Sequence, residues 1–450
     1  MAKTKVAYVC STCAAQFSSW AGKCGACGAW NTLQEQIDVR STSKTAAALS
    51  SGSVLKPAII DNKKVFKTKR ITLGVSDIDE VFGGGIVAGS VCLIAGQPGI
   101  GKSTLLLQLA YNAAQTSNVL YVSGEESPEQ VQIRGERLKA AHTNLKLVSS
   151  TSTNDIAATI AANEYDLVIV DSIQTVAAEE ITGMPGSVSQ VTNSTQFLTI
   201  AAKKTNTALI LVGHVTKEGS IAGPKVLEHA VDVVLQLEGD RYGGFRILRA
   251  IKNRFGSTNE AAILEMLDSG LEIVDNPSAA LLAERQLSDG SVVLATLEGT
   301  RPLLVEVQAL VHTTSYGYPK RAATGIDLNR LNLLVAMLEK RTKLKLSDKD
   351  IYINIVGGMK ITEPAADLAI CMAIASATKG MKLKKDAVVF GEVGLSGEVR
   401  HVPWIDKRIA EAKKLGFKDV IGPKVRGAQP ATILHQMNDV RSALNTFLEK

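Results

Sequence analysis

The octapeptide Gly96-Gln97-Pro98-Gly99-Ile100-Gly101-Lys102-Ser103 follows directly on the apolar run Val91-Cys92-Leu93-Ile94-Ala95, and it restricts the fold more than any other stretch of the chain. A G-x-x-x-x-G-K-[ST] loop between a strand and a helix is a phosphate cradle, because its glycines let successive backbone N–H groups curl round a β-phosphate. Lys102 would neutralise charge on the β/γ oxygens, and the Ser103 hydroxyl would ligate Mg²⁺. A helix expected from Thr104 through Ala114 aims its positive end at the same phosphates. Hydrolysis of a nucleoside triphosphate is the implied chemistry, with Gly96 to Thr104 as its binding loop.

The surrounding residues alternate strand and helix signals. Val119–Val122, Asp166–Asp171, Ala208–Gly213 and Val231–Leu237 are short, apolar and rich in β-branched residues, and helical stretches separate them. This is the βαβ rhythm of a mostly parallel α/β sheet. Leu167-Val168-Ile169-Val170-Asp171 ends in a carboxylate, which puts Asp171 at the edge beside the phosphate loop, where it holds Mg²⁺ through a water. Tyr121 to Glu126 ends another strand, and a carboxylate there would polarise the water that attacks the γ-phosphate; an ordinary solvated acidic turn is the alternative. His214 follows Leu211-Val212-Gly213 and is either a sensor of the γ-phosphate or a hydrogen-bonded strand end.

A second sharp signal is Cys10-x-x-Cys13 with Cys24-x-x-Cys27, ten residues apart, in a segment too short to bury a core. This spacing reads as tetrahedral Cys₄ zinc, whose binding supplies the folding free energy that so small a module lacks. Disulfides are the alternative. The N-terminus has no apolar signal region and no run reaches membrane-span length, so a reducing, cytoplasmic setting without a membrane partner is expected. Cys92 and Cys371 sit in apolar runs as core residues.

The chain has 450 residues, 45% of them hydrophobic, which suggests two sizeable domains besides the zinc module. Residues 1–70 hold eleven Lys/Arg against three Asp/Glu, so they carry +8 and the remaining 380 carry −2. The cluster Lys63, Lys64, Lys67, Lys69 and Arg70 is either a solvated surface or the footprint of an anionic partner. Residues 34–68 are Ser-, Thr-, Ala- and Lys-rich without periodicity and read as a flexible tether. A second boundary falls near Asn276-Pro277-Ser278. The expected division is therefore a zinc finger (1–33), a basic linker (34–68), an ATPase domain (69–275) and a C-terminal domain (276–450).

Together with the zinc module and the phosphate loop, Lys252-Asn253-Arg254-Phe255-Gly256 resembles the bacterial RadA (Sms) family of DNA repair proteins, over essentially the whole chain. The lead-in Leu73-Gly74, Asp77-Ile78-Asp79, Gly83-Gly84-Gly85 and Gly89 is similar to the entrance of RecA-like ATPase cores. The resemblance implies a RecA-like P-loop core, use of ATP, Mg²⁺ and Zn²⁺, and a homo-hexameric ring. It also implies a helicase-type motor on single-stranded DNA that moves branched recombination intermediates during repair and stress response, with a recombinase partner. By position it favours Glu125 as the catalytic carboxylate and gives Lys252 and Arg254 to a neighbouring subunit's nucleotide. The alternative for these two cations is a basic surface hairpin. DNA-facing loops are expected at about Gln174–Thr195 and Val215–Lys225.

The C-terminal third carries Gly357-Gly358-Met359-Lys360-Ile361-Thr362-Glu363-Pro364-Ala365-Ala366-Asp367-Leu368-Ala369, which is similar to the active-site segment of Lon-type proteases. Where that pattern has a serine, this chain has Ala365, and the position of the protease lysine falls on Asp406, with Lys407 one residue away. An α+β, Lon-like domain without a serine–lysine dyad is expected, acting as a scaffold for assembly and DNA contact. Tyr316-Gly317-Tyr318-Pro319-Lys320-Arg321 is a DNA-facing loop or a solvated turn. An ATP-dependent protease is disfavoured by Ala365, while a regulatory ATPase that never translocates stays open.

Overall fold

The structure, a computed structural model, describes residues 6–10, 15–17, 20–30, 32–37, 69–162, 164–214, 226–239, 245–315, 317–425 and 433–449. The chain divides into two compact units, Met1–Lys67 and Thr68–Lys450.

In the first unit, β1 (Val6–Cys10) is the centre of an antiparallel sheet, between β2 (Gln16–Phe17) and β3 (Leu33–Ile37). The ladder pairs Tyr8 with Glu35 and Val9 with Gln34. The tether expected from residue 34 therefore gives its first four residues to this sheet, because ladder bonding satisfies backbone groups whatever the side chains are. Among the described residues its apolar core is Cys10 and Cys24 with Phe17 against them, too little to hold a fold by burial.

The second unit opens with β4 (Arg70–Ile71), α1 (Ser76–Val81) and β5 (Ile86–Val87), which lead to β6 (Val91–Gly96) and α2 (Lys102–Ala114). Then come β7 (Val119–Ser123), α3 (Pro128–Arg137), β8 (Leu145–Ser149), α4 (Thr153–Ala161), β9 (Leu167–Asp171), α5 (Val188–Thr205), β10 (Ala208–His214) and α6 (Val226–Ala230). β11 (Val233–Gly239), β12 (Phe245–Asn253), β13 (Ala261–Leu267) and β14 (Gly270–Ile273) complete a nine-stranded sheet of order β14-β13-β12-β11-β6-β10-β9-β7-β8. The strands from β11 to β8 are parallel, and β12 to β14 extend the sheet antiparallel at one edge. β6 is buried on both faces: Cys92 and Ile94 pack with Leu105, Leu106 and Leu109 of α2, while Val91 and Leu93 pack with Val168 and Val170 of β9 and Leu198 of α5. That two-sided burial is why the strands read as continuous apolar runs. The fold is the expected α/β core with a mostly parallel sheet.

Other details differ from the sequence expectation. Residues 188–195, expected in a loop, are the first turns of α5, where the Ser187 hydroxyl accepts from Gln190 N. The strand expected from Val231 begins at Val233. The loop Val215–Lys225 lies outside the described residues, as do Lys63, Lys64, Lys67, Cys13 and Tyr316.

Beyond Asn276, whose side chain accepts from Ala279 N and caps α7 (Pro277–Leu282), the chain builds a second mixed sheet. Its elements are β15 (Ser291–Glu298), β16 (Arg301–Thr313), β17 (Arg321–Thr324), α8 (Leu328–Thr342), β18 (Lys349–Ile355) and α9 (Asp367–Lys379). The short β19 (Lys382–Leu383), β20 (Ala387–Val389), β21 (Glu392–Val393) and β22 (Val399–Arg400) precede α10 (Ile405–Lys414), β23 (Asp419–Pro423), β24 (Leu434–Met437) and α11 (Val440–Phe447). Strand order is β17-β18-β16-β15-β20-β23-β24. α9 is apolar nearly all round and is the buried axis of this part. Ile247 and Ile263 of the nine-stranded sheet join its core, and Arg301 pairs with Asp77 at 2.6 Å, so packing runs across residue 276. No helix among the described residues is long and apolar enough to cross a membrane.

Candidate active site

At the carboxyl edge of the parallel strands, residues distant in sequence converge. α2 begins at Lys102, two residues earlier than expected. The buried Lys102 ammonium donates to the carbonyl oxygens of Gly96 (2.9 Å) and Gln97 (3.1 Å) and lies 3.1 Å from His214 Nδ1. Burial pulls its pKa down to about 8, against the charges of Asp171 and Glu125, which pull it up.

β9 stands beside β7, with Asp171 opposite Ser123, and Asp171 Oδ2 accepts from the Tyr121 hydroxyl at 2.6 Å. Burial and the Asp171 charge hold the Tyr121 phenol well above its ordinary pKa, so it stays a donor. The next residue, Ser172, donates to Glu125 Oε1 at 2.6 Å, and His214 Nε2 lies 3.5 Å from the same oxygen. Lys102, His214, Glu125 and Ser172 thus form one connected row. Glu126 is turned away to pair with Arg134 of α3, which separates the two adjacent carboxylates by environment. Ser103 in the first turn of α2 and Asp171 at the end of β9 offer a hydroxyl and a carboxylate, the hard oxygen donors that suit Mg²⁺.

The Lys102 shift has a consequence for binding. A triphosphate favours the charged lysine, so the bound pKa exceeds that of the free site, and binding above pH 8 takes up a proton. Nucleotide affinity is expected to fall roughly tenfold per pH unit between about pH 8 and 10. Titration with a fluorescent ATP analogue across this range checks it; a flat affinity would contradict the role of Lys102.

Lys252 and Arg254 are not part of that row. Lys252 pairs with Val234, which pairs with Leu93, three residues before Gly96. The two cations therefore stand at the amino edge of the parallel strands, roughly 10 Å along the strand direction and about 10 Å sideways from the phosphate loop. Lys252 Nζ donates to the carbonyl oxygens of Glu228 (2.6 Å) and Val231 (2.9 Å), closing the end of α6. Arg254 pairs with Asp232 at 3.0 Å and is 55% exposed. Burial, and after it the Arg254 charge, lowers the Lys252 pKa, which agrees with both cations lying on one side. The rest of the pentapeptide is structural: Asn253 Nδ2 donates to Val81 O, and a Cβ on Gly256 would sit 2.6 Å from Gly83 Cα. The glycine turn of the lead-in and the pentapeptide are therefore two halves of one backbone contact. Arg70 joins them, donating to Gly85 O and Phe255 O, and Lys69 pairs with Asp166. Lys69 is nevertheless 70% exposed, and Lys63, Lys64 and Lys67 of the same basic cluster lie outside the described residues.

In the first unit, the sulfurs of Cys10, Cys24 and Cys27 lie within 4.8 Å of one another, with Cys10 and Cys27 3.7 Å apart. Tetrahedral ligands at about 2.3 Å from zinc stand about 3.8 Å apart, so the spacing fits a zinc site. A backbone N–H from Cys27 holds the Cys24 thiol below its ordinary pKa, toward the thiolate that binds metal, although burial acts the other way.

In the C-terminal part, Ala365 is buried with its carbonyl accepting from Gly391 N at 2.7 Å. Asp406 is exposed on α10, and Lys407 donates to Thr300 O and lies over the Trp404 ring. The cation that does turn inward is Arg408, fully buried and forked onto Glu363 at 2.6 and 3.0 Å. At these positions the ion pair of the fully buried Arg408 with Glu363 fills the neighbourhood. Of the expected loop at 316–321, Tyr318 is 88% exposed, while Arg321 reaches Asn332 on α8.

Sequence reasoning missed Tyr121, Ser172, Asp232 and Arg408. Each acts through a partner at least 20 positions away, and no local pattern signals it.

Comparison with known proteins agrees with this architecture. Residues 75–220 match an AAA domain model, 8–35 a rubredoxin metal binding domain, and 329–426 subunit ChlI of Mg-chelatase. The DNA repair protein RadA of Halalkalibacterium halodurans is 48% identical over 94% of this chain and 93% of its own, and that of Bacillus subtilis 49% over the same shares. RadA of Pseudomonas aeruginosa is 47% identical over 94% of each. The chain belongs to the RadA family of DNA repair proteins.

Proposed function

We propose that this protein is a DNA-stimulated ATPase that works as a ring on single-stranded DNA and moves branched recombination intermediates. The observation that carries this reading is the separation of Lys252 and Arg254 from the phosphate loop of their own chain, which leaves each site short of cations unless a second copy supplies them. Lys102 leaves the carbonyls of Gly96 and Gln97 to hold the β/γ oxygens. Ser172 orients Glu125, which takes a proton from the attacking water, and His214 touches both Glu125 and Lys102. Ser103 and Asp171 would hold Mg²⁺, which would supply neutralisation of the phosphate charge. Arg254 of the neighbouring copy stabilises the transferred phosphoryl group, an effect on the order of 10³–10⁵ in rate for arginine fingers. Turnover therefore depends on a closed interface, which couples hydrolysis to motion. The ring is a hexamer and its partner a recombinase, as the family resemblance implies.

The testing experiment is ATP turnover with and without single-stranded DNA. Stimulation by an oligothymidylate supports the motor; turnover indifferent to DNA of any form would favour a regulatory ATPase that assembles without translocating.

The zinc module is proposed to serve DNA engagement, and one zinc per chain is expected. Cys10→Ala or Cys27→Ala should lose the metal and most activity on DNA, while the core at 68–450 stays folded because it forms a separate compact unit. Metal analysis and circular dichroism check this. A zinc-free protein with quantitative disulfides would refute it.

A further inference from the structure

The first unit has little to bury among its described residues, yet it places two of the chain's three tryptophans on its surface. Trp20 is 60% exposed and Trp30 72%. Exposed apolar side chains scattered singly are ordinary, whereas contiguous ones mark a contact surface. These two are neighbours: a Cβ on Gly22 would lie 3.9 Å from Trp20 Cη2 and 4.0 Å from Trp30 Cζ3.

The turn around the second cysteine pair sets up this arrangement. Cys24 N donates to Ala29 O at 2.8 Å, Gly28 N donates to Cys24 O at 2.9 Å, and Lys23 bridges Trp30 in antiparallel fashion. Residues opposed in such a bridge share a face. Lys23 accordingly runs past Gly28, where a Cβ would meet its Cε at 3.7 Å, and sets its ammonium 5.5 Å from the centre of the Trp30 ring. The turn that offers Cys24 and Cys27 to zinc therefore also fixes a cation against an exposed indole.

We propose that Trp20 and Trp30 stack on bases of single-stranded DNA, with the Lys23 ammonium at the phosphate beside them. This rests on the reading that the zinc module serves DNA engagement, and it names the contact. Flat, solvent-facing rings match the π-faces of bases, which are open in a single strand and already stacked on one another in a duplex. Lys23 is the one Lys, Arg, Asp or Glu from Trp20 to Trp30, so no carboxylate of that turn repels a phosphate. The wider charge suits a polyanion as well: the +8 of residues 1–70 falls by only two when four thiolates and one Zn²⁺ are counted.

Trp404, in the C-terminal part, is the third tryptophan, so a Trp404→Phe protein emits from the zinc module alone. The full-length, zinc-loaded Trp404→Phe protein is titrated with an oligothymidylate while its indole emission, excited beyond the tyrosine absorption, is followed. The anisotropy of a labelled oligothymidylate reports binding in parallel. Emission is expected to fall over the same concentration range in which anisotropy rises. In the otherwise unaltered chain, Trp20→Ala and Trp30→Ala should each weaken binding roughly tenfold, the scale of losing one base stack, and Trp20→Phe and Trp30→Phe should retain most of the affinity. Bound zinc is the control for the fold of the module, and the emission readout does not depend on any alanine variant folding. Binding with unchanged emission, or unaltered affinity in a zinc-loaded double alanine variant, would overturn the stacking, leave DNA engagement to other residues and assign the rings to a protein partner. Absence of binding by both readouts would overturn the stacking and the DNA reading together.

Discussion

Lys102→Ala is expected to lower ATP turnover at least about a hundredfold, the scale of losing a preorganised charge at a developing anion. Lys102 bonds two carbonyl oxygens of the loop, whereas Lys252 and Arg254 are engaged at the opposite edge of the sheet by Glu228, Val231 and Asp232. His214 is the adjacent group, and it cannot substitute, because its ring already stands between Lys102 and Glu125. Fold loss is not the expected cause. Lys102 is anchored to two carbonyl oxygens of its own loop, while β6 and α2 are held by apolar packing of Ile94, Leu105 and Leu109. Steady-state turnover, with circular dichroism as the control, is the measurement. Wild-type turnover by a folded Lys102→Ala protein would remove the phosphate-loop assignment.

How much of this site was legible in sequence depends on how far apart its partners lie. The loop at 96–103 could be read because strand, glycines, lysine and helix are contiguous, and the acidic end of β9 stood out because an apolar run stops at Asp171. The roles within the pair Glu125 and Glu126 were not legible. Position favours Glu125, but what separates the two is Arg134 claiming one and Ser172 holding the other, which depends on a helix and a neighbouring strand folding back. The pentapeptide at 252–256 illustrates the same limit. Its spacing gives two cations on one side, yet it does not tell that Lys252 closes α6, that Asn253 and Gly256 serve a backbone contact with Val81 and Gly83, or that Arg254 alone keeps an exposed head. In the C-terminal part, the missing nucleophile was visible as Ala365. The buried Arg408–Glu363 pair was not, because a charged residue on an amphipathic helix reads as solvent-facing.

That division of labour makes Arg254 the residue on which the shared-site reading turns. Arg254→Ala should preserve the fold, since Asp232 keeps a bond from Val91 N at 3.1 Å and a 3.5 Å contact with Lys203. Nucleotide binding by a single chain should be nearly unchanged, because Lys102 and Ser103 hold most of the phosphate charge. Turnover should fall on the order of a thousandfold, the lower range for loss of an arginine finger. Lys102→Ala and Arg254→Ala are then two inactive parents with complementary defects. In a mixed ring, some interfaces join an intact phosphate loop, supplied by an Arg254→Ala subunit, to an intact Arg254, supplied by a Lys102→Ala subunit. Partial ATPase activity should therefore return on mixing and peak near equal proportions. If Arg254 acted within its own chain, no mixture would contain a whole site. Turnover is measured across mixing ratios, with native mass spectrometry verifying that the two variants share rings. A flat line at zero despite mixed rings would end the shared-site reading and leave Arg254 with its local partner Asp232.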